Sequence, residues 1–121
     1  TKVSDIVSSG SEYVSGFTSS CKKAYKGKNG VKLGSSSGAG TLEFTLTDLV
    51  KNNVVSIKVT TVKYGSDSST ITMYNGITSL KSNIGDGEET YKFNTPTSVS
   101  SLKFVSTRRQ YISAVVITCK Q

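Results

Sequence analysis

Leu42, Phe44 and Leu46 alternate with Thr41, Glu43 and Thr45. A period of two sends apolar side chains to one face and polar ones to the other, so 41–46 is predicted as a half-buried strand. Val55, Ile57, Val59 and Thr61 alternate in the same way with Ser56, Lys58, Thr60 and Val62, which predicts a longer strand over 54–63. Further strands are predicted over 31–33, 70–74, 77–80, 90–94, 100–106 and 111–119. Asn75-Gly76 lies between two of them and predicts a type I′ hairpin turn, because both central residues of that turn need positive φ. The gaps at 65–69, 83–87 and 94–97 carry Gly, Ser, Asn and Asp, which are turn residues, and 35–40 reads as a loop. The first thirty residues show little periodicity, and 13–30 is read as an irregular segment over a barrel mouth or sheet edge.

About eight short strands at hairpin spacing, with no convincing helix, predict an all-β fold: a two-layer antiparallel β-sandwich, of jelly-roll type. The expected organisation is one domain over 1–121, less regular over 1–30, with the sandwich core over 31–119. Composition agrees. Ser occurs 21 times and Thr 15 times, while Ala occupies only positions 24, 39 and 114. β-Branched residues suit a pleated surface and lose rotamer freedom in helices. No run approaches the ~18 apolar residues of a membrane-spanning helix.

The chain contains no His, which removes Ser-His-Asp and Cys-His devices and the usual zinc sites. Cys21 and Cys119 match no metal or redox spacing, leaving a disulfide or two buried thiols. The bridge is the preferred reading. It would close nearly the whole domain, an effect of roughly 4.7 kcal/mol in the chain-entropy treatment. It would also need an oxidising compartment, so a secreted, extracellular or cell-surface location is expected. Beginning at Thr1 with no visible leader, the chain is read as a mature product or excised domain.

Three segments taken together carry a resemblance. They are 30–46 (GVKLGSSSGAGTLEFTL), 55–70 (VSIKVTTVKYGSDSST) and 102–118 (LKFVSTRRQYISAVVIT). The order is a lysine-bearing strand, a small-residue turn, a strand, a Tyr-Gly-Ser-Asp corner, and an Arg-aromatic turn into a last strand. It resembles the jelly-roll β-sandwich modules, broadly galactose-binding-like and similar in fold to carbohydrate-binding modules, of secreted or cell-surface bacterial proteins. The resemblance spans roughly residues 28 to 118, and its motifs are mainly structural. It implies an accessory, non-catalytic module beside a larger protein. The chain departs from the typical sugar-binding member in having no Trp.

Sugar recognition needs an apolar ring against a C–H face beside fixed donors and acceptors. Six Tyr supply rings. Tyr64 stands near Asp67, Tyr111 follows Arg108-Arg109-Gln110, and Tyr25 lies among Lys22, Lys23, Lys26 and Lys28. The predicted ligand-binding set is Tyr64, Asp67, Arg108, Tyr111, Tyr25, Lys28 and Lys32. The competing reading is that Tyr111 and Tyr91 cap the core.

The net charge of +7 concentrates in Lys22, Lys23, Lys26, Lys28 and Lys32, a patch that would attract polyanions or merely aid solubility. No nucleic-acid fold signature accompanies it. Asp67 and Asp86-Gly-Glu-Glu89 could hold a structural Ca²⁺, but their spacing fits no defined calcium loop and a solvated acidic turn is preferred. No other cofactor or metal is expected. The carboxylates lack apolar neighbourhoods that would raise a pKa, so no enzyme is expected. The expected function is non-catalytic recognition of carbohydrate, with anionic and cell-surface polysaccharide among the expected ligands. The alternative is a protein-interaction, adhesion or structural accessory domain without a sugar site.

Overall fold

The computed structural model describes residues 17–22, 24–27, 29–36, 38–46 and 52–119, with side chains placed outside 17–22 and 25–27. Ten strands occupy this span: β1 (Phe17–Lys22), β2 (Ala24–Gly27), β3 (Gly30–Leu33), β4 (Thr41–Leu46), β5 (Val54–Lys63), β6 (Ile71–Asn75), β7 (Thr78–Ile84), β8 (Gly87–Thr97), β9 (Ser101–Ser106) and β10 (Gln110–Cys119). They form two antiparallel five-stranded sheets, ordered β1-β4-β9-β6-β7 and β2-β3-β10-β5-β8. The expected all-β sandwich is the fold. From β3 onward the pairing is nested: β3 with β10, β4 with β9, β5 with β8 and β6 with β7. The remaining neighbours, β5 with β10 and β6 with β9, close the folded ribbon into the two layers.

The predicted strands from residue 31 onward are present, with informative departures. β1 and β2 occupy the stretch read as irregular, and each adds a strand beside β4 or β3. β7 and β8 run into the predicted gap at 83–87, leaving Gly85 and Asp86 between them. β8 also includes Pro96, which an edge strand accommodates because no ladder bond is needed on its open side.

The hairpin turn sits one residue later than predicted. Asn75 pairs with Thr78, so the loop residues are Gly76 and Ile77. Gly76 has φ 61° while Ile77 does not share the left-handed region, which is the type II′ arrangement rather than type I′. Its amide is already committed, donating to the Ser101 carbonyl at 2.8 Å.

Two phase changes come from bulges. In β5, Ile57, Val59 and Thr61 are buried as predicted, but Val54 is buried at the strand start in place of Val55. The register shifts between Val54 and Ser56, and one extra residue flips the alternation. A second shift separates Ile112 from Ala114 in β10.

Between the sheets, Leu42, Phe44, Leu102, Phe104, Ile71 and Met73 from one layer meet Leu33, Ile57, Val59 and Ile112 from the other. Phe104 is fully buried and meets Phe44 edge-on at 6.5 Å. Burying each such side chain contributes about 1.5–3 kcal/mol. Tyr91 packs against this core and touches Phe93 edge-to-face at 5.0 Å, as the core-capping reading expects. Lys81 of β7 and Glu89 of β8 pair at 2.9 Å, tying an edge of one sheet to an edge of the other.

Antiparallel nesting brings the β3–β4, β5–β6, β7–β8 and β9–β10 connections to one end of the sandwich. Hydrogen bonds join them there. Arg108 Nη1 donates to the Ser36 carbonyl at 3.2 Å, Arg108 N to Ser69 Oγ at 3.1 Å, and Lys63 N to Asp86 Oδ1 at 2.9 Å.

Candidate functional site

The turn leaving β5 sets up the site. Asp67 N donates to the Tyr64 carbonyl at 2.9 Å, closing a turn over 64–67 that points Asp67 back toward the β9–β10 connection. There Arg109 grips it with two parallel bonds, Nε to Oδ2 at 2.9 Å and Nη2 to Oδ1 at 3.0 Å, and adds its own amide to Oδ2 at 3.3 Å. Bidentate pairing of this kind is the strongest form of carboxylate recognition. The Arg109 hydrogen bonds hold the Asp67 carboxyl below its ordinary pKa of 3.8, against the opposing effect of burial. The same bonds raise Arg109 above its usual value.

The guanidinium of Arg109 lies 4.4 Å from the centre of the Tyr64 ring. Lys32 Nζ stands 5.4 Å from that ring, and Tyr111 meets it at 5.5 Å with a tilt of 37°. Tyr111 is buried, yet it alternates with core residues Gln110 and Ile112 and so lies on the outer side of its sheet, beneath Tyr64. Three neighbours therefore engage the Tyr64 ring, which orients the corner instead of lying open as a flat platform.

Beside this corner is a cavity of about 160 Å³. That is room for roughly five waters at about 30 Å³ each, or one small ring. Asp67 and Asp86 face it as anions, Lys63 and Arg109 as cations, with Tyr64, Ser68 and Ser69 completing the polar wall and Gln110 lining it from the buried side. Gln110 is 1% exposed. Its Nε2 donates to the Ile84 carbonyl at 3.1 Å and to Thr61 Oγ1 at 3.2 Å, while the Thr61 hydroxyl donates to the Gly85 carbonyl. A carbonyl can only accept, so the amide's orientation is fixed and Oε1 faces away from both partners. Oε1 is the one buried side-chain polar atom among the described residues with no hydrogen-bond partner. Such an orphan costs about 1–3 kcal/mol until something donates to it.

Of the residues nominated from sequence, Tyr64, Asp67, Tyr111 and Lys32 come together. Arg108 does not join them: its guanidinium reaches away to Ser36, and Arg109 takes the role assigned to it. Tyr25 stands opposite Lys32 in the sheet register, and its side chain lies outside the described residues, as does Lys28. Sequence reasoning missed Arg109, Gln110 and the capping role of Asp86. Arg109 could have been found from strand phase, since Gln110 begins β10 and its neighbour must face the other way.

The remaining carboxylates disperse. Glu89 pairs with Lys81, and Glu88 lies 3.9 Å from Lys58. Among the described residues no three metal-ligating side chains of the His, Cys, Asp or Glu type converge, so the Ca²⁺ set of Asp67, Asp86, Glu88 and Glu89 is not assembled. No disulfide is present among the described residues. Cys119 ends β10 as a thiol whose pKa is pushed up by burial, and Cys21 lies in β1, in the other sheet, opposite Leu42, its side chain undescribed. No helix among the described residues is long and apolar enough to cross a membrane.

Outside this end, a second polar row crosses the other sheet. Lys103 is paired in register with Glu43 and Tyr74, and its Nζ lies 4.9 Å from the Tyr74 ring. Ser101 Oγ donates to Glu43 Oε2 at 2.6 Å.

Compared with protein-family models, curated proteins and solved structures, the chain matches none.

Proposed function

We propose that this chain is a non-catalytic carbohydrate-binding module that takes a sugar in the cavity at the braced end of the sandwich. We read the nested pairing as jelly-roll connectivity, and the module as part of a larger secreted or cell-surface protein. The observation that carries the proposal is the cavity itself. It is a concavity walled by fixed donors and acceptors and one aromatic edge, held rigid by the Arg109–Asp67 fork and the cross-loop bonds.

A binding role fits the chemistry of these groups better than catalysis. Asp67 is kept ionised by Arg109 and cannot serve as a general acid near neutral pH, and Asp86 lies exposed in a short loop. A small polar cavity of this kind gives weak affinity for one sugar. Attachment to a repetitive surface or a tethered enzyme supplies avidity. The protein-interaction alternative would use an open sheet edge, such as β7 or β8 among the four. Lys92 and Pro96 on β8, and the Lys81–Glu89 pair bridging the two edges, are devices that discourage strand addition.

The test is a glycan-array screen at low and physiological salt, covering neutral, uronate-rich and sulfated glycans. A specific hit that persists at physiological salt is expected. Silence, or indiscriminate polyanion binding that vanishes with salt, would remove the sugar reading.

A further inference from the structure

We infer that the cavity at the sandwich end selects a neutral, hydroxyl-rich sugar over a uronate or sulfated one. This rests on the carbohydrate-binding reading above and reverses the expectation of an anionic ligand drawn from the basic composition.

The two guanidinium groups at this end of the sandwich are already engaged. A site for a carboxylate or sulfate needs a guanidinium fork or ammonium free to meet it. Arg109 already gives Nε and Nη2 to the two oxygens of Asp67. Arg108 directs Nη1 to the Ser36 carbonyl. Within the cavity wall the two cations, Lys63 and Arg109, are matched by two carboxylates, Asp67 and Asp86. On a protein of net charge +7, this cavity is locally balanced. An entering anion would meet the Asp86 carboxylate as well as the single Lys63 ammonium, with no guanidinium fork left to hold it.

What the wall does offer is an acceptor. Asp86 receives the Lys63 amide on Oδ1, which leaves Oδ2 open. A hydroxyl donor satisfies it. Lys63 and Ser68 provide the complementary donors for hydroxyl or ring oxygens. Neighbouring hydroxyls on one small ring match this combination of acceptor and donors. A sulfate or carboxylate supplies acceptors only and leaves the Asp86 acceptor unmet.

The experiment is a ¹⁵N-resolved titration of the whole chain with neutral methyl glycosides (galactoside, mannoside and fucoside) and the corresponding uronates. Shifts are expected at Lys63, Ser68, Asp86 and the Gln110 side-chain amide with at least one neutral glycoside. The Kd should be of roughly millimolar order, and should change less than about twofold between roughly 20 and 500 mM salt. Asp86→Ala, with its remaining spectrum unchanged, should weaken binding about tenfold. Tighter binding of uronates with steep salt dependence would overturn this inference while leaving carbohydrate binding standing. Neutral-sugar shifts confined to the Tyr74–Lys103 row would overturn the site. No shift with any sugar would overturn both readings together.

Discussion

Arg109 closes both carboxylate oxygens of Asp67 while its guanidinium lies 4.4 Å from the centre of the Tyr64 ring, so one side chain joins the two loops that flank the cavity. The two loops come from the β5–β6 and β9–β10 connections, which the nested pairing places at the same end. The corner is thereby built from residues 42 positions apart in sequence.

The ion pair should show itself in acid. Asp67 titrates below its ordinary value of 3.8 because Arg109 stabilises the charged form. The folded chain then binds fewer protons than the unfolded one, so the contribution is complete above 3.8 and is lost as pH falls through the folded value. Asp67→Asn should lower Tm relative to the parent by a constant amount between about pH 5 and 8, with the gap closing below about pH 4. A gap that does not change with pH would mean that Asp67 acts by shape, not charge.

Gly34 locks a third loop to this corner. Its φ is +85°, and a Cβ there would stand 2.2 Å from the Arg108 carbonyl oxygen and 2.7 Å from its carbon. Both are backbone atoms and cannot swing aside. Gly34→Ala should cost at least about 2 kcal/mol by chemical denaturation, combining the clash with a disfavoured φ. Gly76→Ala is the control: its φ is +61° but open space surrounds it, so its loss should be about 1 kcal/mol. Equal losses would show that Gly34 matters for its φ alone.

Cys119 should react sluggishly. Burial pushes its thiol pKa above the ordinary 9.0, so little thiolate exists at neutral pH. Iodoacetamide labelling of Cys119 in the folded protein should be slow near pH 7 and accelerate only above about pH 9. Rapid labelling at neutral pH would contradict the raised thiol pKa. No labelling even after unfolding without reductant would instead reveal a disulfide.

The strands from residue 31 onward were legible because their apolar positions alternate over a buried layer. Leu42, Phe44 and Leu46 are each 3% exposed or less, as their spacing requires. β1 was not legible, since Phe17-Thr-Ser-Ser-Cys-Lys22 carries only two apolar side chains and its pairing comes from backbone bonds along β4. Bulges are similarly silent: nothing in Val54-Val55-Ser56 says which valine faces the core. The site was half legible. Tyr64 and Asp67 announce a turn, but choosing between Arg108 and Arg109 needs the strand phase fixed by Gln110. The orphaned Oε1 of Gln110 depends on carbonyls at 84 and 85, which only the tertiary fold brings near.

Phe104 tests whether the two layers act as one cooperative core. It is fully buried in β9, flanked in register by Leu42 of β4 and Met73 of β6, and meets Phe44 edge-on. Truncation removes the transferred area and leaves a cavity that this two-sided packing cannot collapse. Phe104→Ala should cost about 3–5 kcal/mol. Phe104→Leu should cost less, because most of the volume is retained. Because the loops at the sandwich end hang on the same strands, the alanine variant should also lose the Gln110 amide signal's distinct environment before global unfolding. A loss below about 1 kcal/mol would mean that the layers repack freely, and the cavity at their end could not then be held in a fixed shape.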